Sequence, residues 1–186
     1  MLKKDLRLNY LHLRKTIPPK ALDSASIAIS NQVLSLPIWS FSYFHIFLQI
    51  PGKAEIDTNY LLSVLQGKDK NVVVPMVSGE RTMKHYLLTD NTTFKTSRWN
   101  IPEPVDGLEV PAAMIDVVFV PLLAYDKKGH RVGYGKGFYD VFLKGCKANV
   151  VKIGLSLFEA EEKISDVEES DIPLDYCVTP ERIYEF

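Results

Sequence analysis

Four short apolar runs, at 43–48, 72–77, 115–121 and 150–155, constrain this chain most. Each is too short for a helix and too uniformly apolar for a strand with one wet face. Such runs read as strands buried on both sides, which is the pattern of a parallel sheet covered by helices. Between and around them lie segments of helical character. Residues 3–16, with Leu2 just before them, carry Leu6, Leu8, Leu11 and Leu13 at helical spacing, and Pro18-Pro19 ends that segment. The pattern predicts further helices over 20–34, over 59–65 with Asp57 or Thr58 as N-cap, and over 138–143. A strand over 83–88 follows the Ser78-Gly79 turn, and two short strands, 176–179 and 182–186, close the chain. Residues 91–107, rich in polar residues and proline, read as loop, as does the acidic stretch 165–171. The expected fold is α/β: a three-layer sandwich with a mixed, partly parallel sheet flanked by helices. Its 186 residues suit one domain over 1–186.

Composition narrows the function classes. Hydrophobic residues make up 46% and charged residues 24%, with a net charge of -1. Nothing in that balance draws the whole chain to nucleic acid or an acidic membrane, so any anion binding must be local. No apolar run approaches the roughly 20 residues of a membrane span. The first residues lack the apolar region of a secretory signal, so the expected location is the cytoplasm. Cys146 and Cys177 have no metal-ligand spacing and read as free thiols. His12, His45, His85 and His130 likewise show no ligand spacing and read as structural or exposed.

The chemistry concentrates at 126–140, Asp-Lys-Lys-Gly-His-Arg-Val-Gly-Tyr-Gly-Lys-Gly-Phe-Tyr-Asp. Glycines 133, 135 and 137 lie between a strand and a helix, flanked by Arg131 and Lys136. Such a loop can aim several backbone N–H groups at one anion. A flexible turn serving topology alone would have the same glycines. No Gly-Lys-Ser/Thr follows, which excludes a P-loop, and alternate glycines do not make a dinucleotide fingerprint. Tyr139-Asp140 ends the block with an aromatic beside a carboxylate able to hold a divalent cation.

Other candidates admit two readings each. Lys3 and Arg7 share a helical face, either solvated or presented to phosphates. Glu55 is an N-terminal helix acid or a carboxylate for a ligand with paired N–H donors. Trp99-Asn100-Ile101-Pro102-Glu103-Pro104 is a cover over the sheet edge or a ligand wall. Asp171 is an ordinary loop acid, or a partner of Asp140 in a magnesium site. No Gly-x-Ser-x-Gly elbow is present.

The run Phe119-Val120-Pro121 followed by 125–140 closely resembles the signature of the 5-formyltetrahydrofolate cyclo-ligase family. Lys3, Leu6-Arg7, Glu55-Ile56-Asp57-Thr58, residues 99–104 and Glu169-Ser170-Asp171 match in the same order. The resemblance implies an ATP- and Mg2+-dependent ligase that converts 5-formyltetrahydrofolate to 5,10-methenyltetrahydrofolate, releasing ADP and phosphate. It implies ATP contacts from Lys3, Arg7, Arg131, Gly133, Tyr134, Gly135, Lys136, Gly137, Phe138 and Tyr139. Folate contacts would come from Leu48, Glu55, Tyr134, Lys136 and Phe138. Asp140 and Asp171 would hold the metal, and Lys136 and Arg131 would stabilise the transferring phosphoryl group. A monomer with no nucleic-acid or membrane partner is expected, acting on folate with or without a polyglutamate tail. Phe138 replaces a tyrosine common in the family, which removes a hydroxyl and keeps an aromatic wall. The segment 49–54 before Glu55 is longer than is typical. Two other classes compete: a folate- or nucleotide-binding protein without turnover, and a phosphosugar isomerase or CoA-transferase-like enzyme. The isomerase reading requires a catalytic acid near the loop and no ATP.

Overall fold

A computed structural model describes residues 1–186. Two helices come first, α1 (Lys3–Lys15) and α2 (Pro19–Val33), followed by β1 (Tyr43–His45) and α3 (Asn59–Gly67). Next are β2 (Asn71–Val77), β3 (Met83–Leu87), β4 (Phe94–Thr96), β5 (Pro102–Pro104), β6 (Val117–Pro121), β7 (Ala124–Tyr125) and β8 (Arg131–Val132). The chain ends with α4 (Phe138–Lys144), β9 (Val151–Leu155), β10 (Tyr176–Val178) and β11 (Ile183–Glu185). None of the helices is long and apolar enough to cross a membrane.

Seven strands form one sheet in the order β11-β10-β9-β6-β1-β2-β3. Five of them, β2, β1, β6, β9 and β10, run parallel, and antiparallel β3 and β11 close the edges. This is the mixed α/β sheet expected from the apolar runs. Side-chain alternation divides the core between its two faces. Phe44, Ile46, Val72, Val74, Val117, Phe119, Ile153 and Leu155 pack with Ile29 and Val33 of α2 and Leu61 and Leu65 of α3. Val73, Val118 and Val120 pack with Phe142 and Leu143 of α4. Leu6 and Tyr10 of α1 pack on Leu123, Ala124 and Val132, a satellite core under the β7–β8 hairpin.

The parallel strands carry the site at a predictable place. From β1 the chain moves to β2 on one side, then returns to β6 on the other. Ligands in such sheets bind beyond the strand C-termini at that reversal. The turn after β1 and the loops after β6 both lie there.

Two local features differ from the sequence reading. Residues 91–107 are not all loop, because β4 and β5 pair antiparallel through Lys95 and Glu103. Between β6 and the glycines the chain also forms the β7–β8 hairpin. Asp126 builds its turn: Oδ1 accepts from the Lys128 and His130 amides and Oδ2 from the Ile164 amide. Burial would raise this carboxyl, but those amides and His130 outweigh it and hold it below the usual carboxylate range. Thr58 stands at the N-cap of α3 but its side chain makes no cap bond, because its hydroxyl donates to Phe47 O; Asp57, one residue earlier, accepts from the Asn59 amide at 2.9 Å instead.

Candidate active site

The β7–β8 hairpin delivers the glycine-rich loop to the sheet's C-terminal edge. Gly135 (φ 87°) and Gly137 (φ 73°) adopt left-handed conformations that side chains disfavour. A Cβ at Gly135 would also sit 3.3 Å from Arg7 Nε. Gly135 is therefore required by both its backbone and its neighbour, and Gly137 by its backbone alone, whereas Gly133 has open space and no positive φ. α4 begins immediately after, with Gly137 as its N-cap. It has only seven residues, so the loop's own amides, more than a long helix dipole, define the local field.

Three elements converge on this loop. From α1, Arg7 Nε donates to Gly133 O at 3.0 Å. Lys3 lies on the same face and bonds Asp171 Oδ2. The bare solvated face is therefore not what forms: the Lys3 side chain is only 12% exposed. From the turn after β1, the buried Glu55 accepts from the Tyr134 hydroxyl at 2.6 Å through Oε1 and from the Ile50 amide at 2.8 Å through Oε2. Gly52 (φ 78°) and Ala54 (φ 46°) bend the long 49–55 segment back so that this contact closes. The Tyr134 hydroxyl is pushed well above its ordinary pKa by burial first and by the Glu55 charge second. It remains a neutral donor at any physiological pH.

The third element is the β4–β5 hairpin tip. Asn100 Nδ2 donates to Pro51 O at 3.3 Å. Lys136 Nζ and the Arg98 guanidinium each lie 5.0 Å from the Trp99 ring centre. The hairpin tip thus reaches the turn after β1 through Asn100 and the glycine-rich loop through Trp99. Lys136 itself is exposed and has no acidic partner, so its ammonium is free to meet an anion.

The carboxylates are brought together on the other side of the loop. Arg131, its side chain 7% exposed, donates from Nη2 to Asp140 Oδ1 at 2.7 Å and from Nη1 to Ile172 O. Ile172 N donates to the same Asp140 oxygen at 3.4 Å. Asp171 Oδ2 takes Lys3 and, at 2.7 Å, the Glu168 amide. Burial would raise the Asp171 carboxyl; the Lys3 and Glu168 hydrogen bonds and nearby Arg131 outweigh it and leave it below the usual range. Each carboxylate uses one oxygen in these bonds. Two carboxylates with a free oxygen each, beside the glycine-rich loop, suit magnesium, which commonly takes one or two carboxylates plus phosphate oxygens and water.

Leu48 is half-buried against the α2/α3 core at the end of the β1 region, and Phe138 is half-buried at the start of α4. Tyr139 points into the protein rather than toward open solvent. Its hydroxyl is buried without a partner, beside His45 at 5.9 Å between ring centres, and burial raises its pKa.

Two clusters emerge whose contacts the sequence reading did not predict. Arg14, 4% exposed, donates to the Tyr134 hydroxyl at 2.9 Å and to Leu122 O at 2.5 Å, and lies 3.9 Å from Glu55 Oε1. Its spacing of seven from Arg7 puts it on the same helical face, which was a usable signal. His45 and His85 are both buried, with ring centres 5.2 Å apart. They come from strands separated by β2, and no linear spacing encodes that contact.

Comparison with known proteins agrees with this architecture. Residues 1–180 match the 5-formyltetrahydrofolate cyclo-ligase family. A probable 5-formyltetrahydrofolate cyclo-ligase of Schizosaccharomyces pombe is 33% identical over 180 residues, covering 87% of each chain. The 5-formyltetrahydrofolate cyclo-ligase of Escherichia coli K12 is 29% identical, over 93% of this chain and 97% of that one. Among solved structures, the 5,10-methenyltetrahydrofolate synthetase of Aquifex aeolicus superposes with a TM-score of 0.86 at 29% identity, over 100% of this chain and 93% of that one. Sequence order, sheet topology and relatives converge: the chain belongs to the 5-formyltetrahydrofolate cyclo-ligase family.

Proposed function

We propose that this enzyme uses ATP and Mg2+ to close 5-formyltetrahydrofolate to 5,10-methenyltetrahydrofolate, releasing ADP and phosphate. The observation that carries this reading is the double attachment of one loop. Gly133 is bonded to the basic face of α1, and the next residue, Tyr134, is bonded to the buried carboxylate Glu55. Determinants for a polyphosphate and for a ring with paired N–H donors thus meet across two consecutive residues. The family match over 1–180 supports one catalytic domain.

The chemistry explains why such a site is needed. A formamide carbon is a weak electrophile, and its oxygen leaves poorly. In the proposed reaction the formyl oxygen attacks the γ-phosphorus and ADP departs. The second bridging nitrogen of the folate then attacks the formyl carbon. The C–O bond breaks, phosphate leaves with the former formyl oxygen, and that nitrogen loses its proton. The protein's part is alignment and charge neutralisation.

Lys3 and Arg7 would hold the phosphates from α1, with residues 131–139 wrapping them. Lys136, exposed and unpaired by any acid, would follow the transferring group. Arg131 is already engaged, so its charge would act from behind Asp140. Bound magnesium would neutralise phosphate charge; Asp140 and Asp171 would hold it through their free oxygens. Glu55 would accept from the pterin while Tyr134 fixes its rotamer, and Leu48 and Phe138 would supply apolar wall. Trp99 and the hairpin tip would exclude water from the activated intermediate.

An absorbance time course with 5-formyltetrahydrofolate, Mg2+ and ATP, against a control without ATP, tests the proposal. Methenyl product should form only with ATP. Product formation without ATP, or none with both substrates bound, would overturn it.

A further inference from the structure

Arg14 is an expensive residue where it stands. Its guanidinium is buried, and its Nε has no hydrogen-bond partner. A buried cation costs several kcal/mol unless geometry and hydrogen bonds compensate. Packing alone would be served better by leucine at that point of α1. What Arg14 does have is a directional chain. One terminal nitrogen donates to the Tyr134 hydroxyl at 2.9 Å, and that hydroxyl donates on to Glu55 Oε1 at 2.6 Å. The other terminal nitrogen holds Leu122 O, just beyond the end of β6. Glu55 is anchored from its other oxygen by the Ile50 amide.

The same face of α1 carries Lys3 and Arg7 to Asp171 and to the glycine-rich loop. One helix therefore touches both halves of the site: the phosphate side through its first two turns, the pterin side through its last. The loop is shared as well, with Arg7 on Gly133 and Arg14 on Tyr134.

We propose that Arg14 is a positioning residue that couples the two substrate sites, transmitting the ordering of α1 and the glycine-rich loop by nucleotide to the Glu55 carboxylate. The inference rests on the function proposed above. Nucleotide bound to Lys3, Arg7 and the loop fixes α1 against Tyr134. Arg14 and Tyr134 then hold Glu55 in the rotamer that receives folate, so folate orders fewer groups when it binds second. Coupling of this kind is reciprocal: each ligand tightens the other by the same factor.

The test is a binding cycle with the whole protein. Calorimetry gives the Kd of 5-formyltetrahydrofolate with and without a non-hydrolysable ATP analogue plus Mg2+. The native protein should bind folate about five-fold or more tightly with the analogue present, within the usual range of such couplings. Arg14→Met should bring that ratio close to one while the analogue's own Kd changes less than about two-fold. Arg14→Lys, able to reach only one of the two acceptors, should restore part of the ratio. Tyr134→Phe removes the middle link without leaving α1 altered, and it should lose the coupling even if Arg14→Met fails to fold. A merely structural role would weaken both ligands and leave the ratio intact. A ratio near one in the native protein, or a native ratio in Tyr134→Phe, would overturn the proposal. A native protein that binds the analogue and no folate would instead remove the proposed function, and the coupling with it.

Discussion

Acidification below pH 6.5 should destabilise this fold through His45 and His85. Both imidazoles lie between the sheet and α4, in contact with Phe142; the His85 ring centre is 4.0 Å from that of Phe142 and the His45 centre 4.7 Å. Neither His45 nitrogen, nor His85 Nδ1, nor the nearby Tyr139 hydroxyl has a protein partner. Burial drives the His85 pKa from 6.5 to about 4, against an opposing pull from Glu109, which itself pairs with Lys84 at 3.0 Å. Burial, and then the neighbouring His85, drives His45 well below 6.5. The unfolded chain therefore binds these protons first, and stability falls as pH drops through the window from 6.5 to about 4. For His85 alone the loss is about 2 kcal/mol at pH 5 and about 3 kcal/mol once pH is below its folded value. His45 adds to it in the same direction. Urea unfolding at pH 7.5 and pH 5, followed by fluorescence, measures this directly. The double variant His45→Leu/His85→Phe keeps an aromatic ring on Phe142 and removes both titrating groups. It should be nearly flat over that interval, with stability at pH 7.5 equal to or above that of the native chain, because no orphaned nitrogens remain. A native protein with equal stability at both pH values, or a double variant as acid-sensitive as the native one, would refute the reasoning.

Lys136→Ala should reduce turnover about a hundred-fold or more, as loss of a group stabilising transition-state charge does, with an unchanged urea midpoint; near-native turnover would remove Lys136 from the machinery. Asp140→Ala would leave the buried Arg131 unpaired and lose stability as well as activity, whereas Asp140→Asn should keep the fold and raise the Mg2+ concentration needed for half-maximal activity. An unchanged Mg2+ requirement would mean Asp140 is not a ligand. Glu55→Gln should raise the KM for folate more than that for ATP, and equal changes would misplace it. Gly154→Ala would put a methyl 2.6 Å from Leu122 Cδ2 and 2.7 Å from Leu174 Cδ1, so overpacking should cost about 1–3 kcal/mol in the urea series. An unchanged midpoint would show that this core yields more readily than its packing implies.

The central strands β1, β2 and β6 were legible because alternate residues pack into the cores on both faces and leave a mostly apolar run, whereas the edge strands β3 and β11 are only partly buried and leave none. β4 and β5 were not, because β4 is exposed and β5 is Pro-Glu-Pro, so neither has an apolar signature. β7 and β8 have two residues each and depend on the Asp126 turn. In the site, the glycines, Lys136 and Asp140 stand together in sequence and could be read as a unit. Lys3 and Asp171 are 168 residues apart, so their contact follows from topology. Arg14 shares the face of Lys3 and Arg7, but its burial follows from contacts with Leu122 and Tyr134, more than a hundred residues away in sequence. The length of the 49–54 segment did not itself tell where Glu55 would lie. Its left-handed residues instead fold it back onto that carboxylate.

The central claim is that the formyl oxygen is phosphorylated before the ring closes. Turnover of 5-formyltetrahydrofolate labelled with 18O at the formyl group, in unlabelled water with ATP and Mg2+, tests it directly by mass analysis of the released phosphate. The account predicts one labelled oxygen in each phosphate formed. Unlabelled phosphate, with the label recovered in water, would contradict it.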